Sequence, residues 1–542
     1  MRPFDAQGMF HPIAGDHGEV RRLAVRGAGA NVTASGLMLV IQMVSTVVLA
    51  RLLAPSDFGV VAMVTTFSLL VMNFGLNGFT EAVVQTEEIS QALTSNLFWI
   101  NLGASLLLTI AFAAAGSLLA WFYGDPRVTM VSIGVSLTIF ITGASVLHLA
   151  LLKRAMEFPA IAVINIIARV VSIAVSIILA LMGWGYWALV IGTVALPLCT
   201  SAGAFILCPW VPGLPRRVAG TAKLVRFAIN VYGHFTVNYF ARNMDNVLVG
   251  WRFGAGPLGF YKKAYDLFAL SSNQLVSPLA VVAVAALSRL KDDAAQYRRY
   301  FLRSLALLAF VGMGVGADLC LVGKDLIRVV LGPGWDEAGR IFVFFGPGIG
   351  VMLLYYTHGW IHLSIGTANR WFRWGMIEFG VTALLFILGL AWGPVGIAMA
   401  WTVSFWVLML PSFWYAGQPI GFGIRPVLAT IWRYITASVL AGLASAWVVW
   451  HSHPFGTGEG IGDALARMTS VSLMFTALYL IAVVALFRSL EPVSQLVKLL
   501  PDMVLMRRSP KPAPAAAAAT GELSGGAVLS MTGKEAPETG GR

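Results

Sequence analysis

The sequence predicts an all-α protein that crosses a membrane many times. Of the 542 residues, 58% are hydrophobic and only 11% are charged, whereas charged residues make up about a quarter of an average soluble domain. Apolar runs of about 20 residues, long enough to cross the hydrocarbon core of a bilayer as a helix, recur along most of the chain. Too few polar side chains remain to coat several soluble domains.

The apolar runs predict fourteen transmembrane helices, and charges, Gly-Pro turns or Trp-Gly pairs separate one run from the next. The runs cover residues 30–50, 59–80, 95–121, 128–151, 160–182, 186–208, 226–250, 258–287, 304–323, 340–364, 371–391, 394–416, 428–450 and 466–487. All of them lie ahead of a final segment rich in Ala, Pro and Gly, a composition typical of disorder.

A weak internal repeat divides the predicted helices into two sets. A shift of 200 positions superposes Val47–Gly59 on Val247–Gly259, and a shift of 208 superposes Trp184-Gly185 on Trp392-Gly393. Few identities support either match, so chance similarity between apolar segments is the alternative explanation. The repeat predicts two pseudo-symmetric six-helix bundles around a central cavity. The predicted units are an N-terminal segment (1–27), the first bundle (28–210), a basic linker (211–225), the second bundle (226–417), two additional helices (418–490) and a mostly disordered tail (491–542).

The positions of Lys and Arg predict how the helices are oriented. If the N-terminus is cytoplasmic, 26 of the 37 Lys and Arg residues fall in cytoplasmic segments and 9 fall in outer loops. Cytoplasmic loops of membrane proteins carry such an excess, so both termini are predicted to be cytoplasmic. The remaining two, Arg169 and Arg242, lie within predicted helices.

Polar side chains within the apolar runs form stripes along single helix faces. Those of run 226–250 fit within an arc of roughly 120 degrees at about 100 degrees per residue, and they are Asn230, His234, Asn238, Arg242 and Asp245. The first run carries Gln42 in a similar stripe. Such groups are costly in hydrocarbon unless they face protein or water. The stripes therefore predict a hydrated cavity, although Arg242 and Asp245 are also spaced to neutralise each other.

Arg169 is the second cation predicted to lie deep in the bilayer. It follows Arg154 by fifteen residues, or about 22 Å along a helix axis, so it needs an internal partner or an anionic ligand. Lys262 and Lys263 lie closer to a predicted membrane surface, where ordinary interfacial side chains are the alternative. Asp266, one turn deeper, is harder to explain in that way.

Several kinds of chemistry have no motif in this sequence. It contains no GxxxxGK[ST] loop for ATP, no HExxH and no paired cysteines, and its three cysteines lie in apolar runs. We therefore expect no cofactor, no metal site and no enzymatic activity, and an ion, potential or substrate gradient would have to drive any work. The net charge of +12 is placed to set orientation and to attract anionic head groups, so no nucleic-acid partner is expected.

Three segments resemble a known family. Ala50-Arg-Leu-Leu-Ala-Pro-Ser-Asp-Phe-Gly-Val-Val-Ala-Met63, Asn238-Tyr-Phe-Ala-Arg-Asn-Met-Asp-Asn-Val-Leu-Val-Gly250 and Leu258-Gly-Phe-Tyr-Lys-Lys-Ala-Tyr265 are similar to polysaccharide transporters, or Wzx-type flippases, of the MOP exporter superfamily. The resemblance implies two six-helix bundles around a V-shaped cavity, with two further helices. It also implies that an undecaprenyl-diphosphate-linked oligosaccharide moves from the inner to the outer leaflet of the bacterial inner membrane by alternating access.

Under this resemblance, each candidate residue receives an expected role. Arg242 and Arg169 would bind the diphosphate, because guanidinium groups suit bidentate phosphate contacts. A second set of cations would act nearer the outer face, and its members are Arg51, Arg252, Lys262 and Lys263. The polar side chains of Asn238 and Gln42 would line the cavity. The candidates for ion coupling, or for holding those cations, are Asp245, Asp266 and Glu378.

The expected partners are the lipid-linked oligosaccharide, membrane lipids, a coupling ion such as H+ or Na+, and polysaccharide polymerase and export proteins. Two alternatives stay open. A multidrug or metabolite antiporter of the same superfamily should have an acidic and aromatic site, whereas the deep stripe here carries arginine. A membrane O-antigen ligase or polymerase should need a large outer loop with His and Arg, and the longest outer turn, near 451–465, offers little room.

Overall fold

The computed structural model describes residues 3–490 except 6, 11–16, 87–88, 217–219, 453–457 and 459, and it also describes residue 494. Inside the helices, the side chains at 17–32, 74–77, 85, 223, 230–231, 233–235, 237–238, 240–241, 271–278, 281 and 452 are not described. The side chain of Asn238 and, apart from residue 494, the predicted tail therefore lie outside the described residues. The helices below belong to one compact unit, Met1–Pro492.

The described part of the chain is built from α-helices, which confirms the predicted fold class. The sixteen helices are α1 (His17–Leu52), α2 (Pro55–Gln85), α3 (Gln91–Ala114), α4 (Gly116–Tyr123), α5 (Arg127–Arg154), α6 (Phe158–Leu181), α7 (Tyr186–Leu207), α8 (Thr221–Phe253), α9 (Ala255–Arg289), α10 (Ala294–Leu331), α11 (Asp336–Tyr355), α12 (His358–Ser364), α13 (Ala368–Gly389), α14 (Gly393–Gly417), α15 (Ile424–Ser452) and α16 (Ile461–Phe487).

Each predicted apolar run coincides with one helix or with two consecutive helices. The run 95–121 covers α3 and α4, and the run 340–364 covers α11 and α12. In the described residues, eleven segments are long and apolar enough to cross a membrane, and one of them, Ala368–Ile420, contains both α13 and α14. The polar helices α8 and α9 are not among the eleven. The protein is thus a multi-pass membrane protein, while the number of fourteen crossings stays a prediction.

Helix packing separates early helices from late ones. Among the first seven, α5 packs against α2, α3, α4 and α7, while α6 packs against α1 and α7. Among the later ones, α11 packs against α9, α10 and α14, and α15 and α16 pack against α10 and each other. α2 contacts both α8 and α9. α2 therefore joins the two sets, although the predicted unit boundaries stay predictions.

Short turns fix how α2 and α9 begin. α2 starts with Pro55, which lacks the N–H that a helix start leaves unpaired, and Asp57 accepts the backbone N–H of Ala54 at 3.1 Å. The break between α8 and α9 is a single glycine, Gly254, with φ +83°, a conformation that glycine adopts without strain. Both turns lie at the end of the molecule that the Lys and Arg positions predict to be outer, which we call the outer end.

At the outer end, α2 and α9 approach each other through two glycines. A methyl group on Gly59 would lie 1.7 Å from the carbonyl oxygen of Ala255, and one on Gly259 would lie 1.8 Å from the carbonyl oxygen of Pro55. We call Pro55, Gly59, Ala255 and Gly259 the outer glycine contact. Its two halves differ by 200 residue positions, the same shift that relates Val47–Gly59 to Val247–Gly259 in the sequence. Reciprocal contacts of this kind are typical of a two-fold relationship.

Candidate functional site

Arg242 lies on α8, the helix that begins the later set. Its side chain is exposed, and it lies on the face of α8 opposite to Trp251, nine residues or about 180 degrees away around the helix. Trp251 and Ile229 are 50% and 51% exposed and mark the side of α8 that faces the membrane. Two tyrosines, Tyr232 and Tyr239, bond to backbone carbonyls of α2. Arg242 therefore projects away from lipid, between α2 and the later helices.

The guanidinium of Arg242 is surrounded by aromatic rings and one carboxylate. Its Cζ atom lies 5.9 Å from the centre of the Tyr356 ring, within cation–π range. Tyr265 on α9 and Tyr355 on α11 also lie close enough to interact with it electrostatically. Glu378 on α13 interacts both with Arg242 and with the Tyr355 hydroxyl. The site thus combines a cation, a carboxylate and several aromatic faces.

Asp245 lies one turn from Arg242 but has other partners. Its carboxylate accepts hydrogen bonds from the Tyr261 hydroxyl at 2.7 Å, from Trp401 Nε1 at 3.0 Å and from the backbone N–H of Asn246 at 2.8 Å. The residue is fully buried, and it forms no ion pair with Arg242. The structure therefore does not show the ion pair between Arg242 and Asp245 that their spacing allowed. Asp245 instead joins α8 to α9 and α14.

An aromatic cluster beside Arg242 was not predicted from the sequence. On α9, Tyr261, Tyr265 and Phe268 recur at steps of four and three, which places them on one helix face. The rings of Tyr265 and Trp401 lie 5.9 Å apart, and those of Trp401 and Phe405 stack at 5.5 Å. The spacing was visible in the sequence, but it is also typical of ordinary core packing. Tyr261, Phe268, Trp401 and Phe405 are buried, whereas Tyr265 is half-buried and interacts electrostatically with Arg242.

Arg169 lies on the protein-facing side of α6. Ile167 and Ile178, on the opposite face, are 56% and 57% exposed, while Ser172 and Ser176 on its own face are buried. Ser172 donates a hydrogen bond to the carbonyl of Gly192 on α7 at 2.7 Å. Among the described residues, the guanidinium of Arg169 has no carboxylate partner. The structure thus keeps Arg169 away from lipid, on a helix that packs against α1 and α7.

Two of the predicted outer cations hold early and late helices together. Arg51, at the end of α1, donates to the carbonyl of Val329 on α10 at 3.0 Å. The Nζ atom of Lys263 lies 4.1 Å from the centre of the Phe58 ring. Beside them, Trp335 Nε1 donates to the carbonyl of Ala50 at 2.8 Å. We call these three contacts, together with the outer glycine contact, the outer latch.

The remaining candidate residues are part of neither the Arg242 site nor the outer latch. Lys262 forms an ion pair with Asp266 one turn along α9. Arg252 is exposed at the end of α8, 6.0 Å from the ring of its neighbour Phe253. Gln42 is exposed on α1, and Val40 and Val44, at 58% and 55% exposure, turn the other way. The structure thus groups Arg242 with Glu378, and it does not bring the second set of cations to them.

Fold and site together define a multi-pass helical membrane protein with an exposed arginine between two helix sets. A family model described as "Polysaccharide biosynthesis protein" (Polysacc_synt_3) matches residues 48–340, just over half of the chain. The chain therefore belongs to this polysaccharide biosynthesis family, and the resemblance seen in the sequence is confirmed.

Curated relatives are similar along much of the chain. The succinoglycan biosynthesis transport protein ExoT of Rhizobium meliloti (strain 1021) is 21% identical over 498 residues, which cover 92% of this chain and 98% of ExoT. The lipopolysaccharide biosynthesis protein WzxC of Escherichia coli (strain K12) is 22% identical, covering 59% of this chain and 65% of WzxC. The teichuronic acid biosynthesis protein TuaB of Bacillus subtilis (strain 168) is 24% identical, covering 57% and 64%.

Solved structures share the fold. The inward closed conformation of the lipid II flippase MurJ superposes with a TM-score of 0.67 and 14% identity, covering 86% of this chain and 99% of MurJ. An inward-facing multidrug resistance transporter of the MATE family, in the MOP superfamily, superposes with a TM-score of 0.57 and 12% identity, covering 70% and 94%. At such identities the likeness concerns the fold, and it supports the predicted all-helical, multi-pass architecture.

Proposed function

We propose that this protein is a secondary transporter that flips an undecaprenyl-diphosphate-linked oligosaccharide from the cytoplasmic to the periplasmic leaflet of the bacterial inner membrane. The observation that carries the proposal is the accessible guanidinium of Arg242 among aromatic rings on the non-lipid face of α8. Membership of the polysaccharide biosynthesis family supports it, as do the transport function of ExoT and the lipid II flippase function of MurJ. The protein acts as a transporter and not as an enzyme.

The charge of the substrate explains why a cation is needed in this place. A diphosphate carries about two negative charges at neutral pH, and bare transfer of charge through hydrocarbon is prohibitive. The planar fork of Arg242 can donate two hydrogen bonds to one phosphate. The neighbouring Tyr356 and Tyr265 can pack against sugar rings, while the polyprenyl chain stays in the membrane. Arg169 would offer a second, separate contact for the same substrate.

Glu378 gives the site a way to release its anion. Its carboxyl group interacts electrostatically with Arg242, so an arriving diphosphate competes with Glu378 for the same cation. Displacement leaves Glu378 without its cation, and binding of a proton or another cation then becomes more favourable. Exchange between the two anions would couple substrate movement to an ion gradient. Asp245 is fully bonded and buried, so we assign it to holding the second helix set together.

The outer latch supports a cycle of alternating access. In the described conformation the outer ends of α2 and α9 touch through glycine and the side chains of Arg51 and Lys263 bridge the two sets. Release of substrate to the outer leaflet requires these contacts to separate. We propose that Arg51 and Lys263 stabilise the outward-closed state, and that Lys262, Arg252, Gln42 and Asn238 guide the substrate. The orientation of the termini in this scheme is the one that the Lys and Arg positions predict.

The leaflet in which lipid-linked oligosaccharide accumulates tests the proposed function. In a deletion strain, a flippase leaves its substrate in the inner leaflet, whereas loss of a ligase or polymerase leaves it in the outer leaflet. Inner-leaflet accumulation that plasmid-borne protein reverses is the expected result. Purified protein in liposomes should then expose a labelled polyprenyl-diphosphate sugar to an outside glycosidase. Failure of that exposure, with the protein folded, would contradict the proposal.

The antiporter alternative has one observation in its favour, the superposition with the multidrug transporter. A site for cationic compounds should carry net negative charge, and here Arg242 offsets Glu378. The two functions separate in a simple experiment. An antiporter should lower the accumulation of a cationic dye in whole cells, and a flippase should leave the dye unaffected while it restores polysaccharide.

A further inference from the structure

An opening lies on the opposite side of α8 from Arg242. It is a groove of about 1010 Å³ between α3 and the first turns of α8, at the end predicted to be cytoplasmic. Two arginines stand in its wall, and its apolar lining includes an indole ring and branched aliphatic side chains. The residues that matter here are Trp99, Ile100, Arg216, Val225, Arg226 and Ile229.

The groove is built by side chains of α3 that hold the segment before α8. The amide of Asn96 accepts the backbone N–H of Arg216 at 2.9 Å and donates to the carbonyl of the same residue at 2.5 Å. Ser95 Oγ accepts the N–H of Gly213 at 3.0 Å, and Trp99 Nε1 donates to the carbonyl of Gly213 at 2.9 Å. Arg216 is therefore fixed through its backbone, and its guanidinium is left for other contacts.

The charge of the groove is positive and has no counterion in the part of the chain that the structure describes. Arg216 and Arg226 are both exposed, and the groove lining contains no Asp or Glu. Neither guanidinium forms an ion pair with a described carboxylate. Two arginines at a membrane surface attract anionic lipid head groups, and their planar forks suit phosphate oxygens.

The floor of the groove is apolar and faces the membrane. Ile229, Trp99 and Ile100 are 51%, 41% and 40% exposed. Trp99 has its ring in the groove and its N–H bonded, as is typical of tryptophan at the interface between water and hydrocarbon. On α8, Ile229 lies about 140 degrees from Arg242 around the helix axis. The groove therefore opens toward lipid and not toward the space that contains Arg242.

We propose that this groove binds an anionic phospholipid of the membrane. Arg216 and Arg226 hold the phosphate of the head group, and the acyl chains lie against Ile100, Val225 and Ile229. A polyprenyl diphosphate has similar head-group chemistry, but from this groove it would have to pass around α8 to reach Arg242. A phospholipid needs no such passage, so the orientation of the groove favours it.

The bound lipid would span α3 and α8, one helix from each of the two sets. It would also cover the segment before α8, which is the predicted linker between the bundles. If the two sets move against each other as the proposed function requires, phospholipid composition changes the balance between conformations. This consequence rests on the proposed function, whereas the binding site itself does not.

The test measures lipid retention by the purified full-length protein. Protein in detergent is mixed with phosphatidylglycerol, with phosphatidylcholine of the same chains, or with undecaprenyl diphosphate, and bound lipid is counted by native mass spectrometry. We expect preferential retention of phosphatidylglycerol, and the double variant Arg216→Ala/Arg226→Ala should lower it at least tenfold. The control variant, Arg298→Ala, removes an exposed arginine outside the groove, at the start of α10, and should retain wild-type binding.

Three results would overturn the proposal. In the first, the double variant retains as much phosphatidylglycerol as the wild type. In the second, the wild type retains as much phosphatidylcholine as phosphatidylglycerol. In the third, the double variant loses only the binding of undecaprenyl diphosphate. The double variant Arg216→Lys/Arg226→Lys is the control for misfolding. It keeps both charges and should retain more than half of the lipid that the wild type retains. Failure of flipping assays would leave these binding results untouched, so the two proposals can fail separately.

Discussion

Gly59 and Gly259 occupy equivalent places in two contacts that mirror each other. Gly59 on α2 meets the carbonyl of Ala255 on α9, and Gly259 on α9 meets the carbonyl of Pro55 on α2. The exchange of partners under a shift of 200 positions supports the internal repeat as a structural one, where sequence identity alone left chance as an alternative. The close approach of α2 and α9 at the outer end therefore requires glycine at positions 59 and 259.

Adding one methyl group at this contact should open the outer end. Gly59→Ala places a carbon 1.7 Å from the Ala255 oxygen, so α2 and α9 must move apart. We expect a membrane-impermeant maleimide added outside to label a cysteine at Gln42 several-fold faster in the Gly59→Ala background. Gly256→Ala is the matched control, because no atom lies within 4 Å of the added carbon. Equal labelling in all three backgrounds would show that this contact does not close the outer end.

Arg242 should be required for export and only partly replaceable. Arg242→Ala removes the charge that faces Tyr356 and Glu378, and we expect surface polysaccharide to fall at least tenfold at unchanged protein level. Arg242→Lys keeps a point charge without the bidentate fork and should retain part of the export. Arg298→Ala is the control on an exposed surface. Full export by the alanine variant at normal protein level would remove Arg242 from the mechanism.

Glu378→Gln should separate substrate binding from turnover. Without the competing carboxylate, Arg242 is free for the diphosphate, so the affinity for polyprenyl diphosphate should rise several-fold. In this variant no carboxylate competes with the bound diphosphate for Arg242, so release of the diphosphate should slow and export should fall. Binding is measured with the purified protein, and export in the complemented deletion strain. A variant whose affinity and export both equal those of the wild type would rule out the proposed anion exchange.

Asp245 should matter for stability. Its oxygens accept from Trp401 Nε1 and Tyr261 on one side and from the Asn246 N–H on the other. In Asp245→Asn, either orientation of the amide points its NH₂ group at an N–H donor. A buried donor without an acceptor costs about 1–3 kcal/mol, so thermal unfolding in detergent should begin at a lower temperature. Tyr261→Phe, which removes one donor and leaves the carboxyl group in place, is the comparison. An unchanged unfolding midpoint in Asp245→Asn would contradict this role.

A turn at the outer end should make a small, pH-dependent contribution to stability. The pKa of Asp125 is held below its ordinary value because Arg127 donates hydrogen bonds to its carboxylate, the shortest at 2.7 Å. A carboxyl group with a lowered folded-state pKa stabilises the fold fully above its unfolded value of about 3.9, and this stabilisation is lost as pH falls through the folded pKa. Arg127 is 41% exposed, so Asp125→Asn should cost less than about 1 kcal/mol at pH 7.

The check on this turn is the difference in unfolding midpoint between the wild type and Asp125→Asn. It should be constant from pH 7 down to about pH 5 and should shrink below about pH 4. Asp292→Asn, in the exposed turn before α10, is the control. A difference that grows as the pH falls would have the wrong sign for a lowered pKa.

The helices could be located from the sequence because a bilayer fixes the length of an apolar run. Each of the fourteen runs coincides with one helix or a consecutive pair. The break between α3 and α4 was not predicted, since Ala115 and Gly116 interrupt neither the hydropathy nor the length of the run. The repeat was visible as a shift of 200 positions, but only the contact between Gly59 and Ala255 shows what the shift means in three dimensions.

The sequence indicates candidate site residues mainly where a charge falls within an apolar run. Arg242, Arg169 and Glu378 stand out in any apolar run because placing them there is costly. The partners of Asp245 did not stand out, because Tyr261 and Trp401 are common in helix cores and their hydrogen bonds depend on the packing of three helices. Arg51 and Lys263 lie at the end that is predicted to be outer, and their carbonyl and aromatic partners lie more than 200 positions away in the sequence.

The last helix is tied to α10 by polar contacts. Arg467 donates to Asp325 at 2.6 Å, Ser472 donates to Asp318 at 2.9 Å, and the Tyr479 hydroxyl bonds to the carbonyl of Phe310 at 2.8 Å. These bonds connect α16 to α10, so we expect the two helices to move together. A fluorescent reporter on the exposed Leu465 of α16 and a second on the exposed Leu107 of α3 would therefore register motion between the two helix sets. Time-resolved energy transfer in single molecules could then follow the cycle directly.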